Sequence, residues 1–179
     1  MTDKANTPEE IVDVVNEQDE VIGQSTKGIV NSDPSLIHRE VAVLIYDDQN
    51  RILTQQRSRN KKTNPLKWII SVAGHVKSGQ SYVDAAHMEL KEELGFDTQL
   101  KLYDKQICRY LNETQFAAGY LGKISANFKI KIDPAETEQA KFIDEAELNK
   151  MIANGEKIEE YSLSDFRKFF RGEFDTMKP

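Results

Sequence analysis

The stretch that decides the fold runs from Gly74 to Phe96 and reads G-H-V-K-S-G-Q-S-Y-V-D-A-A-H-M-E-L-K-E-E-L-G-F. Its acidic residues Glu89, Glu92 and Glu93 are three and four positions apart, so a helix would carry them on one face. Like charges at such positions repel each other by about 0.2–0.5 kcal/mol per pair. We therefore expect a partner outside the helix that favours negative charge, and a hard divalent cation is the simplest candidate. A solvated acidic face is the alternative, because Glu is a good helix former.

The sequence also predicts where this helix begins and ends. Ser81 suits the N-cap position, with Asp84 three residues later as the acidic partner of a capping box. Gly95 suits the left-handed residue that follows the last turn. Helical spacing places Ala85 within the carboxylate face. The positions expected to form the core face are Val83, Ala86, Leu90 and Leu94.

The whole stretch resembles the Nudix signature: a glycine, five residues, Glu, seven residues, then Arg-Glu-aliphatic-x-Glu-Glu-x-Gly-aliphatic. The matching positions are Gly74, Glu89, Leu90, Glu92, Glu93 and Gly95, with Phe96 as the apolar end. The resemblance implies an α/β (α+β) fold, namely a Nudix-type α/β/α sandwich with a mixed β-sheet. It also implies that Glu89, Glu92 and Glu93 are catalytic residues that hold Mg2+ or Mn2+ against a substrate diphosphate.

Two positions depart from that signature. Gln80 stands where the family has its first Glu, and Met88 stands where it has Arg. In the family these two residues help to brace the loop and to orient the metal-binding glutamates. Because both charges are lost together, no uncompensated charge is left behind. We interpret the pair as a substituted brace beside a retained metal site.

Segments from about Ile11 to the signature resemble the Nudix branch that contains isopentenyl diphosphate isomerases and their hydrolase-like relatives. Those isomerases need a catalytic Cys where this chain has Ala73. A methyl group cannot exchange a proton with carbon, so isomerisation by that route is excluded and hydrolysis is favoured. Cys108 lies well downstream, and its position beside Ile107 indicates a strand packing residue.

The metal site of that branch is only partly matched. His38 and His75 match two of its histidines, and Glu113 matches one of its acids, whereas Asn31 and Leu111 occupy two other ligand positions. Ordinary hydrogen bonding at a strand end is the alternative role for the two histidines.

A basic segment supplies candidate cations for the substrate phosphates: Arg57, Arg59, Lys61 and Lys62. Arg can bind phosphate oxygens bidentately, although an exposed charge run is the alternative interpretation. Arg57 and Lys61, together with Gly74 and His75, are our predicted substrate-binding residues. We expect Glu136 or Glu138 to add an acid from beyond the signature, the alternative being a solvated acidic turn.

Composition limits the class of protein. The 179 residues suit one full-sized domain, and the net charge of −6 argues against a general nucleic-acid-binding surface. No apolar run approaches the roughly 20 residues that span a bilayer. The single cysteine rules out an intramolecular disulfide, and residues 1–10 are unlike a signal peptide, so we expect the cytoplasm and no membrane partner.

We divide the chain into a disordered N-terminus (1–10), an N-terminal β-hairpin extension (11–35), the Nudix domain (36–170) and a C-terminal tail (171–179). Besides the signature helix, helices are expected at 144–152 and 161–170. The expected strands lie at 11–15, 20–22, 41–45, 52–56, 68–73, 100–107, 116–124 and 128–132, with 52–56 as the hairpin partner of 41–45.

The sequence thus predicts a metal-dependent Nudix hydrolase that cleaves a small-molecule diphosphate linked to another moiety. A Nudix-fold binding or regulatory module with little catalysis is the alternative, and an isopentenyl diphosphate isomerase is a third interpretation. The pattern leaves the choice between a monomer and a homodimer open.

Overall fold

A nine-stranded mixed sheet organises the computed structural model, which describes residues 9–61 and 63–174. The strands are β1 (Ile11–Val15), β2 (Val21–Thr26), β3 (Ile37–Asp47), β4 (Ile52–Arg57), β5 (Trp68–Ile69), β6 (Val72–His75), β7 (Leu100–Arg109), β8 (Thr114–Ile124) and β9 (Thr137–Ile143). The helices are α1 (Lys27–Val30), α2 (Tyr82–Leu94), α3 (Glu145–Ala153) and α4 (Glu160–Phe170). Predictions made for residues 1–8, Lys62 and 175–179 lie outside the described residues.

Strand β3 is the centre of the sheet. It pairs in parallel with β8 along its whole length, and in antiparallel fashion with β1, β4 and β6. The predicted N-terminal hairpin forms as β1 and β2, and its first strand joins the same sheet through β3. The mixed sheet of the predicted fold class is thereby confirmed.

Both faces of β3 are buried, which explains its nearly continuous apolar run. Val41 and Val43 belong to a core cluster with Leu90 of α2. Leu44 points to the other face and belongs to a second cluster with Phe166 of α4. The sheet therefore lies between α2 on one side and α3 and α4 on the other, as the α/β/α sandwich requires.

Helix α2 begins and ends as predicted. The Ser81 hydroxyl accepts a hydrogen bond from the backbone N–H of Asp84 at 3.2 Å, and Gly95 follows the helix with φ of 72°. The predicted core face needs one correction, because Val83 is 41% exposed while Ala85 is fully buried. Small side chains in that turn let the helix approach the sheet, so the buried face is shifted toward Ala85.

The strands predicted at 100–107 and 116–124 are confirmed as β7 and β8, whereas the strand predicted at 128–132 is wrong. The segment 128–132 is irregular, and the strand β9 lies later, at Thr137–Ile143, where it pairs with β4. The expected hairpin of 41–45 with 52–56 is also wrong in part, since β3 and β4 meet only at Tyr46 and Ile52. The predicted strand 68–73 divides into β5 and β6, whereas both C-terminal helices form near their predicted bounds.

Among the helices of residues 9–61 and 63–174, none has both the length and the hydropathy that a bilayer span requires.

Candidate active site and metal centre

A cavity of about 850 Å3 opens along the sheet and reaches both α2 and the start of α4. Strand register explains which residues form one surface of this cavity, because cross-strand partners project to the same face of a sheet. Glu40 of β3 lies opposite His75 of β6 and Ala117 of β8, and Ala117 lies opposite Gln106 of β7. We call this surface the sheet wall, and it consists of Glu40, Ala42, Ala73, His75, Gln106, Cys108, Gln115, Ala117 and Gly119.

The three predicted carboxylates of α2 line the same cavity. Glu89 packs against Gly74, where an added Cβ would lie 2.3 Å from Cδ of Glu89, so the glycine makes room for this carboxyl group. Burial, reinforced by Glu93 and Glu92, raises the pKa of Glu89 to about 7. Burial also raises the pKa of Glu93 to about 7, although its Oε2 accepts a hydrogen bond from Nε2 of Gln55 at 2.7 Å. Glu92 is exposed at the rim.

The two residues that we interpreted as a substituted brace are in contact. Nε2 of Gln80 lies 3.6 Å from Sδ of Met88, and the backbone N–H of Lys77 donates to Oε1 of Gln80 at 3.1 Å. Nζ of Lys77 also lies 3.5 Å from the Met88 sulfur. A neutral amide and a thioether thus connect the loop between β6 and α2 to the helix, where the family signature has an acid and a base.

A second candidate metal centre lies beside the sheet wall. His38, His75 and Glu113 each offer a ligand atom, and these three atoms lie within 4.8 Å of one another. The two imidazole rings are stacked with centroids 4.9 Å apart, and Nε2 of His38 is 3.8 Å from Oε2 of Glu113. We call these three residues the histidine site. Within residues 9–61 and 63–174 it is the only group of three such ligand atoms, so the α2 glutamates do not converge in this way.

The donor chemistry of the histidine site fits a divalent cation. Both ring nitrogens of His38 are buried without a hydrogen-bond partner, which does not match the alternative of ordinary hydrogen bonding. Burial lowers the pKa of His38 to about 4 and that of His75 to about 2, so both rings are neutral at physiological pH and keep a lone pair for a metal. Nε2 of His75 lies 2.9 Å from Oδ1 of Asn31, the residue at the lost histidine position, and donates in the tautomer that is protonated there.

The predicted cations divide between the cavity and the surface. Arg57 and Lys61 line the cavity, and Lys61 forms an ion pair with Glu136, which lines it too. Arg59 instead pairs with Glu138, with Nη2 and Oε1 2.5 Å apart, and neither residue lines the cavity. Of the two acids proposed from beyond the signature, the structure therefore brings Glu136 to the site.

Sequence reasoning missed several cavity residues, and Lys27 and Glu40 are two charged examples. Lys27 of α1 lies close enough to the histidine site to help lower the pKa of both imidazoles. Glu40 sits inside β3, and burial together with Glu113 and Glu159 raises its pKa well above the ordinary value. The available signal for Glu40 was an acid directly before the apolar run that begins at Val41.

Ala73 and Cys108 both line the cavity. Ala73 lies opposite Ala42 in the sheet register, so the position of the isomerase cysteine carries only a methyl group. Burial raises the pKa of Cys108 to about 12, which keeps it a thiol at neutral pH, consistent with a packing residue.

Comparison with known proteins identifies the fold and the relatives. The NUDIX domain family model matches residues 36–166. An uncharacterized Nudix hydrolase of Nostoc sp. is 32% identical over 124 residues, covering 69% of this chain and 70% of that protein. Isopentenyl-diphosphate Delta-isomerase 2 of Photorhabdus laumondii is 27% identical over 169 residues, covering 92% of each. The crystal structure of DR0079 from Deinococcus radiodurans superposes with a TM-score of 0.77 at 23% identity, covering 90% of this chain and 100% of that one.

Proposed function

Because this chain belongs to the Nudix family, we propose that it is a metal-dependent hydrolase that cleaves a diphosphate linked to another moiety. The observation that carries the proposal is the joint lining of one cavity by the α2 carboxylates and by cations suited to phosphate. We further propose that the substrate is a small molecule, that the protein acts in the cytoplasm, and that nucleic acid is not its partner.

The carboxylates suit Mg2+ or Mn2+, which prefer oxygen ligands and keep several waters. We assign Glu92 and Glu93 as the first ligands and Glu89 as a third ligand or a base that orients water. The imidazole and carboxylate donors of the histidine site suit a softer divalent ion. A bound divalent cation would neutralise phosphate charge and favour attack by water.

The protein groups have separable tasks in this proposal. Arg57, Lys61 and Lys27 would bind the diphosphate oxygens by charge. A carboxyl group with a pKa near 7 can accept a proton from water at neutral pH, and Glu89 meets this condition when it acts as the base. The water oxygen forms a bond to phosphorus, the bridging P–O bond breaks, and the leaving group departs with the bridging oxygen.

Hydrolysis is favoured over isomerisation because Ala73 cannot transfer a proton. The thiol of Cys108 does not replace the missing cysteine, since its raised pKa opposes thiolate formation. The neutral contact between Gln80 and Met88 favours a second candidate function, a binding or regulatory module with weak turnover. Calorimetry would support that candidate if diphosphates bind tightly without hydrolysis in both Mg2+ and Mn2+.

The test is Glu93→Gln, assayed by release of phosphate or nucleotide from a panel of nucleoside diphosphate derivatives. We expect turnover in Mg2+ or Mn2+ to fall by at least about 100-fold, because the substitution removes a charged ligand while keeping the shape of the side chain. Thermal unfolding should show an intact fold. Glu160→Gln is the matched control, since Glu160 is exposed on α4 and does not line the cavity. Wild-type turnover in a folded Glu93→Gln variant would refute the assignment.

A further inference from the structure

The loop between β6 and α2 is held in place by the N-terminal hairpin. We call this loop, residues 76–81, the signature loop. Oδ1 of Asp13 in β1 accepts a hydrogen bond from the Ser78 hydroxyl at 2.7 Å, and its Oδ2 accepts another from the backbone N–H of Gly79 at 3.1 Å. Nε2 of Gln24, which lies opposite Asp13 in the hairpin, donates to the same Ser78 oxygen at 2.6 Å. One carboxylate thus fixes two consecutive residues of the signature loop.

The backbone of β1 supports the same contact. The N–H of Ser78 donates to the carbonyl of Ile11 at 2.9 Å, and Val12 forms an antiparallel bridge with Lys77. Gly79 has a φ of 75°, a left-handed conformation that glycine adopts without strain. The start of the signature loop therefore pairs with β1, and the carboxylate of the hairpin holds the turn that follows.

A second aspartate of the hairpin reaches the start of α2. Asp19 lies in the turn between β1 and β2, and it accepts a hydrogen bond from the hydroxyl of Tyr82 at 2.9 Å. Nε of Arg39 donates to the same carboxylate at 2.7 Å, and Lys105 forms an ion pair with it. Because Tyr82 is the first residue of α2, the hairpin contacts both the signature loop and the helix that carries the carboxylates.

The contacts of Asp13 are stronger than the contact inside the signature. Nε2 of Gln80 lies 3.6 Å from Sδ of Met88, and a thioether is a weak acceptor. The hydrogen bonds to Asp13 are charge-assisted, which makes them about twice as strong as those between neutral groups. Burial opposes ionisation of Asp13, but hydrogen bonds led by those from the signature loop hold its pKa below the ordinary value, so it is charged at neutral pH.

We infer that Asp13 is a positioning residue that braces the signature loop from outside the signature, in place of the lost Glu–Arg pair. This inference rests on the proposed function for its effect on turnover, because the loop leads from β6 to Glu89, Glu92 and Glu93. Asp13 does not line the cavity, so it acts through the loop and the helix behind it. Loss of Asp13 should lower kcat more than it raises KM, since the proposed phosphate-binding cations lie outside the loop and α2.

The experiment measures hydrolysis by Asp13→Ala in Mg2+, with the best substrate of the nucleoside diphosphate panel. We expect kcat to fall about tenfold while KM stays within about twofold, because misplaced reacting groups cost rate more than binding. Asp47→Ala is the matched control, since Oδ1 of Asp47 accepts from the backbone N–H groups of Gln49 and Arg51 at the far end of β3, outside the cavity. A loss of kcat no larger than in Asp47→Ala would overturn the inference.

A double-mutant cycle separates bracing from general destabilisation. In a background with Gln80→Glu and Met88→Arg, the cost of Asp13→Ala in kcat should shrink from about tenfold to less than about threefold, since the loop then has a second brace. Equal costs in both backgrounds would overturn the inference. Where a variant fails to fold, Asp13→Asn against Asp47→Asn decides. The amide keeps one acceptor oxygen, so we expect about a threefold loss of kcat at position 13 only, and equal kcat values would overturn the inference.

Hydrogen exchange separates failure of this inference from failure of the hydrolase. Backbone amides of residues 77–82 should exchange at least about tenfold faster in Asp13→Ala than in the wild type, and the restored signature pair should reverse that change. If the wild type turns over no diphosphate of the panel, this exchange result would refute the hydrolase and support the brace. Turnover in the wild type, with unchanged exchange and unchanged kcat in Asp13→Ala, would do the reverse.

Discussion

Gly74→Ala tests how the site is built, because it displaces the carboxyl group of Glu89 without substituting Glu89 itself. Gly74 lies in β6, opposite Val41 of β3. An added Cβ would lie 2.3 Å from Cδ of Glu89 and 2.4 Å from its Oε1, whereas ordinary contact begins near 3.4 Å. The carboxyl group of Glu89 must therefore retreat.

The retreat is about 1 Å, and a misplacement of that size typically costs on the order of 100-fold in rate. Stability should change by less than about 1 kcal/mol, since the displaced atoms end a flexible side chain and replacing Gly reduces the freedom of the unfolded chain. Activity and stability are thus expected to separate, with kcat/KM falling about 100-fold while the free energy of unfolding stays nearly constant.

The assay is diphosphate hydrolysis in Mg2+ and Mn2+, with urea unfolding measured on the same preparations. Gly23→Ala is the matched control, because Gly23 is also in a strand and an added Cβ there has nothing within 4 Å. Glu89→Gln gives the reference for complete loss of the carboxylate. Gly74→Ala activity within twofold of the Gly23→Ala control, in a folded protein, would show that the position of Glu89 does not matter for turnover.

Three further outcomes are expected. In EDTA, Glu93→Gln should raise the melting temperature relative to wild type, by a margin that grows from pH 4.5 to 7. Burial raises the pKa of Glu93 in the native state to about 7, so the wild-type protein loses stability as pH rises through that window. A margin that stays constant with pH would contradict this. Glu113→Gln should weaken Mn2+ binding in calorimetry by about tenfold or more, because it removes the carboxylate of the histidine site, and unchanged affinity would exclude that site. Met88→Arg alone should lower the free energy of unfolding by about 1 kcal/mol, since it places a second cation beside Lys77. Adding Gln80→Glu should recover that stability and raise turnover. Purely additive effects of the two substitutions in urea unfolding would argue against coupling between positions 80 and 88.

Local sequence was sufficient for the signature helix and for much of the sheet. The Ser81 cap and the Gly95 stop depend on contacts within a few residues, so the pattern alone predicts them. The strand β9 was missed because T-E-Q-A-K-F-I has little apolar alternation, and its place is fixed by pairing with β4, more than 80 residues earlier in the chain. The rotation of α2 about its axis could not be predicted from the sequence either, since it is the fit of Ala85 against the sheet that leaves Val83 exposed.

The sequence by itself determined the family, the carboxylates of α2 and the loss of the isomerase cysteine, because each is a matter of residue type at fixed spacing. Only the tertiary structure decided which distant groups share a cavity. Strand register brought His38, His75 and Glu113 together, placed Glu40 with an unpaired oxygen beside them, and separated Arg59 from Arg57. The physical reason is that burial and pairing across the sheet set the partners and the pKa of each side chain. Burial and cross-strand pairing depend on residues far apart in the chain, so the local pattern does not predict them. The Gly74–Phe96 stretch supplies the carboxylates, and the sheet beneath it supplies their surroundings.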